Sequence, residues 1–66
     1  MDTLKSGYWY KVVYNDETTC VFRFTSTDKE GNVHADLCND EKILNPLSKE
    51  HKEIIELGED SPCDNL

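Results

Sequence analysis

The sequence predicts a small, mostly-β domain: an antiparallel barrel or a strongly twisted sheet, with one short helical turn. Three observations predict it. The apolar residues concentrate in the first two thirds of the 66-residue chain, in short runs rich in aromatic and β-branched side chains, which suit a pleated surface. Those runs alternate with period two. Clusters of Asn, Asp, Glu, Thr and Gly separate them, as tight turns require. A chain this short forms one domain of marginal stability, and oligomerisation would add buried area. Residues 1–58 are expected to form the domain and residues 59–66 a flexible acidic tail.

Gly7 ends a short polar lead, and Tyr8 to Tyr14 (YWYKVVY) reads as the first strand. Asn15-Asp16-Glu17-Thr18 is a polar turn. Thr19 to Thr27 (TCVFRFTST) is the second strand, with Cys20, Phe22 and Phe24 on one side. Asp28-Lys29-Glu30-Gly31-Asn32 reads as a tight hairpin: Asp28 can accept from the backbone at its start, and Gly31 can supply a positive φ. Val33 to Cys38 (VHADLC) alternates again, with Val33, Ala35 and Leu37 on one side and His34, Asp36 and Cys38 on the other. These runs form an antiparallel meander. If Tyr10, Val12 and Tyr14 face the core with Phe22 and Phe24, then Trp9, Lys11, Val13, Val21 and Arg23 face outward.

The last third admits two readings. In one, Asn45 caps a helix, Pro46 sits at its first position, Leu47, His51, Ile54 and Ile55 share a face, and Gly58 stops it, giving a three-stranded meander plus a C-terminal helix. In the other, which the consecutive β-branched Ile54-Ile55 favours, Ile43-Leu44 is a short fourth strand, Ser48–His51 is a helical turn, and Glu53–Leu57 is a closing strand.

Charge narrows the function classes. Fourteen acidic residues face seven basic ones, for a formal net charge of -7. That field disfavours nucleic acid and anionic membrane as direct partners and favours basic proteins. No segment approaches the roughly 18–20 apolar residues of a membrane span. The N-terminal residues lack the apolar core of a signal peptide, so the cytoplasm of a bacterial or host cell is the expected location. Three cysteines is an odd number, and cytosolic thiols ordinarily stay reduced, so no disulfide is expected.

The stretch from Gly7 through Phe24 (GYWYKVVYNDETTCVFRF) and the ending KEIIELGED resemble small SH3-like β-barrel proteins of bacteria and their phages. The resemblance covers about two thirds of the chain, rests on pattern, and implies a fold without an activity. Tyr8, Trp9, Tyr10 and Tyr14 lack the spacing of the proline-peptide groove of SH3 domains. In size, acidity and lack of catalytic residues the chain also resembles phage-encoded inhibitors that mimic DNA. That resemblance implies an inhibitor or modulator occupying the basic surface of a nucleoid-associated protein, an RNA polymerase or a nuclease.

The residues expected to meet such a partner are Asp16 and Glu17 in the first turn, Asp28 and Glu30 in the second, and Asp36, Asp40 and Glu41 along and beyond the third strand. Glu50, Glu53, Glu56, Glu59 and Asp60 load the C-terminal third. Same-face strand residues lie about 7 Å apart, close to the phosphate spacing along one DNA strand. The competing reading is that this charge only keeps a small domain soluble. Trp9 and Val13 are candidate anchors, since Trp is enriched at interface hot spots. In the alternative function, a structural or adaptor barrel docks through that apolar stripe, which would also fit a homodimer. Trp9 packed under the tail is the competing placement. No catalytic residue, metal or cofactor is expected. Only His34 and Cys38 are close enough in sequence for a metal pair, and four strand residues hold them roughly 13 Å apart.

Overall fold

The computed structural model describes residues 4–65; residues 1–3 and 66, the outer ends of the two expected ranges, lie outside the described residues. Five strands form one antiparallel sheet: β1 (Trp9–Tyr14), β2 (Thr19–Thr27), β3 (Val33–Asp36), β4 (Lys42–Leu44) and β5 (His51–Gly58). Their order is β4-β3-β2-β1-β5, so β4 and β5 are the two edges. The sheet is therefore unclosed among the described residues, as a small twisted sheet or a barrel-like fold allows.

The expected inner face is the core. Tyr10, Val12, Tyr14, Phe22, Phe24 and Ala35 are buried together, and Val12 and Phe22 are fully enclosed. Register explains the grouping, because Tyr10 pairs with Phe22 and Phe24 with Ala35 across neighbouring strands. Leu4, Tyr8, Leu47 and Ile54 pack against this cluster. Two tyrosine hydroxyls tie loops down over it: Tyr10 accepts from the Lys5 N–H at 2.8 Å, and Tyr14 donates to the Pro46 carbonyl at 2.5 Å.

The C-terminal third corrects part of the sequence reading. No helix covers 47–57: the favoured strand reading holds, with β4 over Ile43-Leu44 and β5 over the expected closing strand Glu53–Leu57, which it extends to His51 and Gly58. The expected helical turn at Ser48–His51 is also absent, because His51 already pairs with Tyr14. The connection reverses earlier, at Asn45 (φ 52°), where the Ser48 N–H donates to the Asn45 carbonyl. The one short helical turn among the described residues is a 3-10 turn at Pro62–Asn65.

The expectation of no disulfide is overturned. Cys38, just past β3, is bonded to Cys63, with their Cα atoms 5.7 Å apart. The odd count resolves into this pair and a free Cys20 packed beside the core. The segment expected as a tail thus carries a cross-link to the body.

That link also bears on Trp9, which faces away from the core yet is only 6% exposed. At this level of the sheet Gly58, Trp9, Arg23 and Asp36 lie side by side on β5, β1, β2 and β3. To reach Cys38 from Gly58, residues 59–63 must cross two intervening strands, about 14 Å at ordinary strand spacing. Trp9 lies at this end of the sheet, where the Cys38–Cys63 bond brings the C-terminal segment back toward β3. The Arg23 guanidinium, 5.8 Å from the indole centroid, flanks the ring.

Candidate functional site

The nine residues expected to meet a partner do not share a surface. Asp16 and Glu17 stand at the β1–β2 turn, Asp28 and Glu30 at the opposite end of the sheet, and Asp36, Asp40 and Glu41 on the β4 side. Trp9 is buried and Val13 half-buried, so neither presents an exposed anchor, which corrects the expectation of an outward indole.

Four of the seven acids already have partners within the chain: three are paired with lysine or arginine, and Asp28 is held by hydrogen bonds. Asp16 accepts from Lys49 Nζ at 2.6 Å and from the Thr18 hydroxyl and N–H; Lys49 first, then Thr18, holds its carboxyl well below the usual range. Glu17 accepts from Lys52 at 2.9 Å. Asp36 faces Arg23 at 2.8 Å and Lys42 at 3.6 Å, and Arg23 chiefly lowers its pKa. Asp28 meets His34 Nε2 at 3.0 Å and accepts from the backbone N–H of Glu30 and Asn32. Its pKa is lowered to about 2 by His34 and then by Asn32. These contacts close turns and bind strands; the charge of the three acids paired with lysine or arginine is spent inside the chain.

A cleft of about 440 Å³ lies beside β4, lined by residues including Ser26, Asp28, His34, Asp36, Lys42 and Leu44. Its titratable side chains are the ones just described, and Leu44, 55% exposed, stands at its rim. No group of three or more His, Cys, Asp or Glu side chains suited to a metal ion occurs among the described residues.

Glu30, Asp40 and Glu41 are exposed and join no ion pair among the described residues, and a further set of acids lies on and beside β5. Glu50, Glu53, Glu56, Glu59 and Asp60 are all exposed, and none joins an ion pair among the described residues. Glu53 and Glu56 lie on β5, while Glu50, Glu59 and Asp60 flank it. Two of these carboxylates, those of Glu53 and Glu56, therefore lie on the outer edge strand, and Glu50 and Glu59 stand just beyond its two ends. Residues three apart on a strand are about 10 Å apart and lie on opposite faces. The edge is thus a two-sided anionic ridge, with Ile55 and Leu57, each 37% exposed, between its carboxylates. The favoured strand reading contained these residues, but the sequence did not place β5 at the edge of the sheet beside β1. Comparison with protein-family models, curated proteins and solved structures returned no match to this chain.

Proposed function

We propose that this chain is an acidic protein-binding module that engages the basic surface of a nucleic-acid-binding protein, in the manner of an inhibitor or modulator. The observation that supports this reading most is the contrast between two sets of acids. Asp16, Glu17 and Asp36 are matched by lysine or arginine within the chain, whereas the carboxylates on and beside β5 leave their charge facing solvent. A compact source of negative potential speeds encounter with a basic partner and repels DNA, RNA and anionic membrane.

The carboxylate spacing along β5, about 10 Å, is wider than the phosphate interval along a DNA strand. The likeness to nucleic acid therefore rests on the field and not on a phosphate-by-phosphate copy. A phage origin and a cytoplasmic target belong to the same proposal. Glu53 and Glu56 are held in place by the pairing of β5 with β1, which does not run through the Cys38–Cys63 bond. The rival reading, docking through Trp9 and Val13, gains nothing from a buried indole.

The test immobilises the chain and measures retention of basic nucleic-acid-binding proteins with duplex DNA as competitor. Retention should fall at least about tenfold between about 50 and 200 mM salt, and DNA should displace what is held. Changing Glu50, Glu53, Glu56 and Glu59 to Gln should weaken it comparably, whereas Asp16→Asn with Glu17→Gln should do little. Retention that ignores both salt and the four-residue change would refute the proposal.

A further inference from the structure

Building on that reading, we infer that the free edge of β5 binds its partner by strand addition, taking an extended segment that carries two basic residues around two apolar ones. Backbone parity supports the geometry. The Tyr14 N–H donates to the Thr18 carbonyl and the Phe24 N–H to the Tyr8 carbonyl, so even-numbered positions of β1 face β2. Lys11 and Val13 therefore face β5, and their register partners Ile55 and Glu53 spend their backbone groups on β1. The Ile54 N–H and C=O, between them, point to the open side, and Lys52 and Glu56 continue that alternation. The register slips at both ends of β5, leaving Lys52 and Leu57 as extra residues, and the regular free edge runs from Glu53 to Glu56.

An unpaired strand edge is a template for another strand. The β4 edge is three residues long, too short to hold one, whereas β5 is eight. The regular stretch Glu53-Ile54-Ile55-Glu56 reads acidic, apolar, apolar, acidic. Opposite residues of paired strands share a face, so its complement is basic, apolar, apolar, basic, and that pattern fits in either strand direction. Lys or Arg would stand against Glu56 on the core side and against Glu53 on the other, with an apolar residue beside each isoleucine. A second copy of this chain is disfavoured, because it would bring its own row of carboxylates. The only lysine there, Lys52, is held by Glu17.

The probe is an acetylated, amidated peptide of Lys-Val-Val-Lys repeated twice, beside the same peptide N-methylated at every residue. N-methylation keeps the charge and removes the backbone donors. Residue-resolved amide exchange should show the Ile54 N–H, free to exchange in the chain alone, slowed at least about tenfold by the first peptide. Those of Glu53 and Ile55 should already be slow. The methylated peptide should bind at least about tenfold more weakly, and Glu53→Gln with Glu56→Gln should weaken the parent peptide. Equal binding of both peptides would overturn strand addition while leaving a purely electrostatic partner surface standing. No binding of either would overturn it too, as would Ile54 protection in the free chain together with a dimer in sedimentation equilibrium. The salt and DNA-competition experiment separates these failures from failure of the underlying function.

Discussion

The Asp28 carboxylate holds the β2–β3 hairpin by accepting from the backbone N–H of Glu30 and Asn32 while meeting His34 across the turn. Its pKa of about 2 has a consequence for stability. A carboxyl that ionises more readily in the folded chain stabilises the fold above its unfolded pKa, and that contribution disappears as pH falls through the folded value. The thermal midpoint should therefore drop as pH is lowered from about 4 to about 2. Asp28→Asn should lower the midpoint near neutral pH and flatten the acid limb. Asp16 and Asp36 act with the same sign, so some slope should survive; an unchanged profile would contradict the assignment. At this scale the sequence was partly legible. The positions of Asp28 and Gly31 signalled the turn, and Gly31 does take φ 87°. His34 as partner was not legible, because the bond depends on how far the hairpin folds back. Nor was the neutralisation of Asp16 by Lys49, which joins residues brought together only by β5.

Among the elements, β2 carries the most weight, lying between β1 and β3 with Phe22 fully enclosed. Phe22→Ala should cost about 3–5 kcal/mol, enough to unfold much of so small a domain, and chemical denaturation would measure it. Phe24 at 8% exposure should cost less. The first three strands were readable because each alternates, and alternation fixes which face is buried. β5 was harder to assign: His51 to Gly58 is only partly covered, so its pattern is shared between a helix face and an edge strand. What decides it is tertiary, the vacant side of β1. Because Glu53 and Glu56 are unpaired acids on this edge, misassigning β5 would also misplace the proposed interaction surface.

For the molecule as a whole, the Cys38–Cys63 bond joins residues separated by 25 positions and holds the C-terminal segment across the sheet. Restricting the unfolded chain this way is worth about 2–4 kcal/mol. Reduction, or Cys38→Ala with Cys63→Ala, should lower the thermal midpoint and shift Trp9 emission to longer wavelength as the C-terminal segment is released. A midpoint and emission indifferent to reductant would show that the segment contributes neither. This link was invisible in the sequence: three cysteines permit several pairings or none, and only the fold brings two together. The burial of Trp9 was likewise not legible, because alternation along β1 gives the face of a side chain but not what packs on that face.

The position of β1 also constrains how the molecule assembles. Its neighbour β2 follows after a short turn, but β5 emerges only after β2, β3 and β4 have been made. Local hairpins zip early, while pairing across a long intervening loop comes late. During that interval the backbone of Lys11 and Val13 is bare, and the most apolar strand of the chain has one side open to any passing strand. Arrival of β5 ends that exposure and replaces an apolar border with an acidic one.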